Sequence, residues 1–254
     1  MKEDYWVSVQ VRPVGDFCNI ACSYCVYGLA KDVSRMSDEV LEVMTKKLLN
    51  HNGDGALFNW HGGEPTLAGI DFYRKALSFQ KQYQGNSLVR NQIQTNAIPV
   101  TAELSQFFFE NGFGVGVSLD GPEYLHNMTR LGKNHQDTYD QTRKGIDMLR
   151  EFGNQPAVIA TVSKNSLPFA KDSFHHLVDL GFKQIHYSVV FESKLDKELE
   201  ISSEEWYAYL SEVFHEWGIL ADDEIEVREL NEVISWVAGA SEPSCTSTGT
   251  CGHW

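Results

Sequence analysis

The 254-residue sequence contains no apolar run approaching the roughly 20 residues needed to cross a bilayer. Its opening, MKEDYW, lacks the basic and apolar regions of a secretory signal, so the chain is expected to be cytoplasmic with no membrane partner. Positive charge is scarce: 21 Lys and Arg stand against 35 Asp and Glu, a formal net charge of -14. That balance repels phosphate backbones, and no basic stripe or basic amphipathic helix compensates, so nucleic acid is not an expected partner. Low-complexity tracts are also missing, and 42% hydrophobic residues suit one globular domain with an appendage. Cysteine is sparse, odd in number and clustered: Cys18, Cys22 and Cys25 near the start, Cys245 and Cys251 near the end. Such a set is poor disulfide arithmetic and good metal-site arithmetic.

Charge is uneven. Residues 192 to 232 hold 14 acidic and 3 basic residues, whereas residues 1 to 191 hold 20 and 18. Short β-branched or aromatic runs alternate with helical patterns through the neutral part, the signature of βα units and a parallel sheet. Strands are expected at about 6–11, 56–60, 88–94, 114–119, 157–162 and 184–190. The first helix starts behind Ser37 as N-cap, with Asp38 and Glu39 in its first turn and a Val40, Met44, Leu48 stripe. Three helices end on a glycine, Gly112, Gly153 and Gly181, which closes a helix before the next strand. Six such units curl into an open barrel or stay doubly wound, and periodicity alone does not choose. From residue 192 the pattern changes. Ser202 and Glu205 form a capping box before an aromatic-rich helix, a second helix runs from about 225 to 238, and the polar tail SEPSCTSTGTCGHW follows.

The first cluster reads CNIACSYC and directly follows the first strand. Three thiolates on one tight loop can hold three corners of an iron-sulfur cube and leave the fourth iron open; a zinc site or unligated thiols are the alternatives. His61-Gly62-Gly63-Glu64-Pro65 follows the second strand, Gln94-Thr95-Asn96 the third and Ser118-Leu119-Asp120-Gly121-Pro122 the fourth, with His126 to Arg130 soon after. Each motif sits at the carboxyl end of its strand, where parallel α/β folds place ligands. Glycines at 62 and 63 remove Cβ atoms and let a ligand approach the backbone, and Glu64 offers a carboxylate.

In this order the motifs resemble those of radical S-adenosylmethionine (radical SAM) enzymes, in the branch of anaerobic sulfatase-maturating enzymes and peptide-modifying maturases that carry a cysteine-rich SPASM extension. The resemblance spans about residues 7 to 253. It implies an α/β fold: a partial (βα)6 TIM-like barrel over residues 1–191, an acidic helical bridge over 192–240 and the beginning of an incomplete SPASM region over 241–254. It implies a 4Fe-4S cluster on Cys18, Cys22 and Cys25, with S-adenosylmethionine chelating the open iron and cleaved to a 5'-deoxyadenosyl radical. The Gly62 to Pro65 loop is then expected at the methionyl amino group, Ser118 and Arg143 at the ribose and carboxylate end, and Tyr24 near the adenine. Thr95, Asn96 and Asp120 complete the expected cofactor site. Cys245 and Cys251 resemble the opening of an extension that binds auxiliary 4Fe-4S clusters, but two cysteines cannot complete one. The relatives' acidic catalytic residue lies beyond this point, so no residue is assigned as catalytic. Ala97 stands where many relatives have glycine, and Asn127 where aspartate is usual.

The expected partners are a protein or peptide substrate and a low-potential electron donor, flavodoxin- or ferredoxin-like. Formylglycine formation in a sulfatase is the leading expectation. A peptide-crosslinking maturase making cyclophane or thioether bonds, a truncated cluster-binding protein without substrate chemistry and a zinc module are the alternatives.

Overall fold

The computed structural model describes residues 6–25, 27, 34–50, 54–191, 193 and 195–239. Cys245 and Cys251, with the whole of 241–254, lie outside the described residues. Two compact units divide the chain, and both are discontinuous in sequence.

The first unit carries β1 (Trp6–Val11), α1 (Asp38–Leu49), β2 (Gly55–Trp60), α2 (Ile70–Tyr83), β3 (Leu88–Thr95), α3 (Ala102–Glu110), nearly all of β4 (Gly114–Ser118) and most of α5 (Tyr139–Glu151). Its strands pair in parallel in chain order, with Val11 opposite Trp60 and Trp60 opposite Ile93. A doubly wound sheet reverses its strand order at a switch point, and no reversal occurs here. The core is aromatic: Tyr73 meets Trp60, Phe108 and Phe113 edge to face, at centroid distances of 5.6, 5.9 and 6.0 Å. A buried amide pair, Gln80 with Asn91, exchanges two 2.9 Å hydrogen bonds, and Trp60 Nε1 also donates to Asn91 Oδ1. The two amides and the indole N–H of this network are thereby hydrogen-bonded.

The second unit contains residues 20–26, α4 (Glu123–Asn127), β5 (Ala157–Val162), α6 (Ala170–Asp179), β6 (Gln184–Val189), α7 (Ser203–Leu220), β7 (Glu226–Val227) and α8 (Arg228–Val237). Its strands are also parallel and in chain order. Strand order runs from β1 to β7, so the fold is of the expected α/β type. The capping box of Ser202 and Glu205 is present at the start of α7. No helix among the described residues is long and apolar enough to cross a membrane.

Two expectations need correction. The stripe on α1 is out of phase: Leu41, Thr45 and Leu49 are buried, whereas Val40 and Val43 are 52% and 47% exposed. Both rows repeat every four residues, and the polar Thr45 disguises the buried one. Val40, Met44 and Leu48 instead line an open groove of about 760 Å³ that holds none of the motif residues. The second correction is a seventh strand, β7, whose two residues pair with Gln184 and Ile185. A two-residue strand carries no period to read.

Ala97 adopts a left-handed φ of 65°, which accounts for a preference for glycine at this position. Gly145 of α5 faces it so closely that a Cβ there would stand 1.9 Å from the Ala97 carbonyl oxygen. Gly145→Ala is expected to destabilise the protein by more than about 2 kcal/mol, because only backbone movement relieves the clash. Ala97→Gly is expected to stay within about 1 kcal/mol of neutral, since relief of left-handed strain offsets the lost methyl and the added freedom of the unfolded chain. Urea denaturation of the two variants checks this; equal midpoints would refute the close-packing account.

Candidate functional site

The cysteine loop leaves β1 and is fastened at several points. In the first unit, Gly63 N donates to Gly15 O at 3.0 Å and Glu64 N to Phe17 O at 2.8 Å. A Cβ on Gly63 would lie 1.9 Å from the Phe17 carbonyl oxygen, and one on Gly62 would lie 2.5 Å from Arg12 Cγ. The two glycines therefore let the loop after β2 press against the chain leading into Cys18, a close approach of backbone to backbone.

Glu64 is 1% exposed, and its carboxylate is the centre of the arrangement. Oε1 accepts from Thr66 N at 3.1 Å, Thr66 Oγ1 at 2.6 Å and Thr95 Oγ1 at 2.7 Å; Oε2 accepts from Asn96 N at 2.7 Å. Burial pushes the Glu64 carboxyl up from its ordinary range, and the hydrogen bonds from Thr66, Asn96 and Thr95 pull it back part of the way. One side chain thus ties the loop after β2 to the loop after β3. Asn96 extends the tie to the cysteines: its Nδ2 donates to Asn19 Oδ1 at 2.8 Å and to Cys18 Sγ at 3.6 Å. From below, Tyr73 of α2 donates to Pro65 O at 2.7 Å. Arg12 and Tyr27 were not singled out in the sequence, yet they flank His61: Tyr27 Oη is 3.4 Å from His61 Nδ1, and the Arg12 guanidinium lies 4.7 Å over the Tyr27 ring. Burial, and then Arg12, lower the His61 pKa.

In the second unit the loop's later turn meets the segment after β4. Ala21 N donates to Leu131 O at 2.7 Å, Ser23 N to Thr129 O at 2.9 Å, and Ile20 bridges Gly132. Tyr24 Oη donates to Asp120 Oδ2 at 2.8 Å. Asp120 also takes Thr161 N at 2.8 Å and Thr129 Oγ1 at 3.3 Å, with Arg130 Nε 3.0 Å from its Oδ1 as an ion pair. Its carboxylate is fully occupied by its own chain. Burial opposes the charge on Arg130, but Asp120, Tyr24 and Cys22 hold its pKa above the ordinary value. Asn127 accepts from Thr138 N and Tyr139 N at 3.1 Å each, capping the start of α5.

Ser118 is half-buried at the end of β4. Arg143 lies on α5 with Nη2 3.3 Å from Asp147 Oδ1, while its Nη1 is buried without a hydrogen-bond partner. That orphaned donor fits a carboxylate ligand. Cys22 is buried and Cys18 and Cys25 half-buried, all three as thiols. Among the described residues no three His, Cys, Asp or Glu are grouped so as to hold a single metal ion. A cube fits three such thiols better than zinc, because each thiolate takes a different iron.

His126 is 1% exposed, has Nε2 3.1 Å from Thr138 Oγ1 and leaves Nδ1 without a partner. Burial lowers its pKa to about 4, Asp120 partly opposing. The unfolded chain protonates this residue near its usual ~6.5, so stability falls as pH drops through that window, by up to about 3 kcal/mol at pH 4. His126→Gln is expected to flatten the loss between pH 7 and pH 4; an unchanged slope in denaturation curves would show that His126 is not its source. Glu64→Ala leaves two buried backbone donors unpaired and is expected to cost at least about 3 kcal/mol, measured by urea unfolding. A midpoint equal to that of the parent chain would mean that other contacts hold these loops.

Comparison with known proteins places these features in a family. The Radical SAM superfamily profile matches residues 13–181. The serine-type anaerobic sulfatase-maturating enzyme of Bacteroides thetaiotaomicron is 29% identical over 96% of this chain and 65% of its own length. The cysteine-type enzyme of Clostridium perfringens is 26% identical over 96% of this chain and 70% of its own. This chain therefore spans about two thirds of the length of these curated relatives. Among solved structures, native anSMEcpe with bound AdoMet and the Kp18Cys peptide superimposes with a TM-score of 0.87 at 26% identity, covering 95% of this chain and 68% of that one. Streptococcus suis SuiB bound to S-adenosylmethionine shares the fold alone, with a TM-score of 0.67 at 13% identity over 88% of this chain and 50% of that one.

Proposed function

The chain belongs to the radical SAM superfamily, and on that premise we propose that it cleaves S-adenosylmethionine reductively and oxidises a Cys or Ser side chain in a protein or peptide, as a maturase of the sulfatase-modifying kind. The observation that carries the reading is the cysteine loop fastened to the Glu64 and Asn96 cradle. When bound at these thiols, a 4Fe-4S cluster with S-adenosylmethionine would supply one-electron chemistry that generates a hydrogen-abstracting radical.

The chain's own residues hold and aim. Cys18, Cys22 and Cys25 bind three irons. The Gly62 to Pro65 backbone receives the methionyl amino group, and the free edge of the Arg143 guanidinium, Nη1, takes the carboxylate. Ser118 offers its hydroxyl to the ribose, and Tyr24, Thr95, Asn96 and Asp120 shape the walls. Such positioning confines the radical to one C–H bond and keeps water away. On this reading residues 1–191 are the catalytic part, 192–240 an acidic bridge and 241–254 the start of a SPASM region, where Cys245 and Cys251 would join an auxiliary 4Fe-4S cluster only with cysteines that these 254 residues do not supply. Thiolate ligands and a low-potential, flavodoxin- or ferredoxin-like electron donor suit a reducing, cytoplasmic setting. Serine-type and cysteine-type relatives match almost equally, so the target residue is left to experiment.

Anaerobic reconstitution is expected to load about four irons per three-cysteine site, and addition of reductant and S-adenosylmethionine to release 5'-deoxyadenosine. Cys22→Ala abolishes both, whereas Cys245→Ala leaves the nucleoside yield within about twofold. Incubation with sulfatase peptides carrying Cys or Ser is then read for an aldehyde by mass spectrometry. Iron uptake without nucleoside sinks the enzymatic reading, and nucleoside with a crosslinked peptide redirects it to a crosslinking maturase.

A further inference from the structure

One buried ion pair in the second unit has a role beyond lining the site described above. Asp120 and Arg130 side chains are 2% and 8% exposed and form an ion pair. Isolating two charges from water is costly, and the pairing itself together with hydrogen bonds from neighbouring groups offsets part of that cost. Asp120 holds Tyr24 Oη and Thr161 N, each at 2.8 Å, and Arg130 Nη2 reaches Thr161 Oγ1 at 3.2 Å. The Arg130 guanidinium also lies 5.4 Å from the Tyr24 ring centroid. Tyr24 stands between Cys22 and Cys25, and the same turn is closed by Cys25 N donating to Cys22 O at 3.1 Å. The pair therefore grips the middle of the cysteine turn while placing two opposite charges beside it.

We infer that Asp120 and Arg130 are positioning residues for the cysteine turn, acting through Tyr24, and that their mutual neutralisation sets the reduction potential of the group held there. The inference rests on the proposed cluster reading and goes beyond it by assigning a device that tunes electron acceptance. Reduction adds negative charge to the site. An unpaired Arg130 favours it and an unpaired Asp120 opposes it, in a medium that screens little.

The test uses the full chain with its cluster reconstituted anaerobically. Iron and sulfide are counted, and the midpoint potential is read by redox titration of the reduced cluster's electron paramagnetic resonance signal. Asp120→Asn should raise the potential and Arg130→Met should lower it, each by at least tenfold in the reduction equilibrium, about 59 mV for one electron. The double variant, again neutral, should return to within threefold of the parent. Tyr24→Phe should leave the potential within threefold but speed iron loss to a chelator severalfold. If Arg130→Met does not accumulate folded, Asp120→Asn and the double variant carry the test, because general loosening would shift both in one direction. Loaded variants with unshifted potentials, or with single and double shifts of one sign, overturn the inference and leave the cluster reading standing. A parent chain that takes up no iron overturns both.

Discussion

The Glu64 carboxylate is the constraint on which the first unit's site depends. It sits where water cannot solvate it, so it persists only because donors from two different loops converge on it. The loops after β2 and β3 are therefore not independent: moving either strands a buried charge or a buried N–H. Gly63 makes the geometry possible, since any side chain there would collide with the backbone that leads into Cys18. Asn96 then carries the restraint onto the first cysteine itself. The rigidity of this loop thus begins with an unexceptional requirement, that a buried anion be satisfied.

The second unit solves the same problem with different chemistry. There the buried anion is Asp120, its partners are a guanidinium, a phenol, a threonine hydroxyl and a backbone amide, and the segment it restrains is the later half of the cysteine loop. A short antiparallel bridge at Ile20 and Gly132 adds backbone hydrogen bonds to that grip. Each half of the cysteine loop borrows a buried carboxylate from the end of a strand, Glu64 after β2 and Asp120 after β4.

Much of this was legible beforehand. Periodic β-branched runs and glycine-closed helices are local signals, and the six expected strands are present within a residue or two. The left-handed φ values of Gly112, Gly153 and Gly181 follow from the same local logic. What was not legible depends on phase or on partners far away. The α1 stripe was misplaced by one residue because an amphipathic period has no marker for where it starts. The close approach of Gly62 and Gly63 to the chain leading into Cys18 is a packing role that their motif does not reveal. Asn127, expected only as the loss of a charge, caps α5 with its side-chain oxygen. The Gln80, Asn91 and Trp60 network carries no motif, because its members belong to separate elements and only packing joins them.

The sequence by itself determined the residue types and their order: three thiols on one loop, a motif after each of the second, third and fourth strands, and a parallel α/β chain with its acidity concentrated beyond residue 191. These are properties of covalent neighbours, and short-range physics is enough to read them. Tertiary structure alone decided which polar groups are spent on one another. Glu64 and Asp120 bear the same charge in the same kind of loop, yet burial and the donors around each make one the clamp of a strand-end cradle and the other half of a neutral pair beside a tyrosine. A carboxylate's task is set by what surrounds it once water is gone.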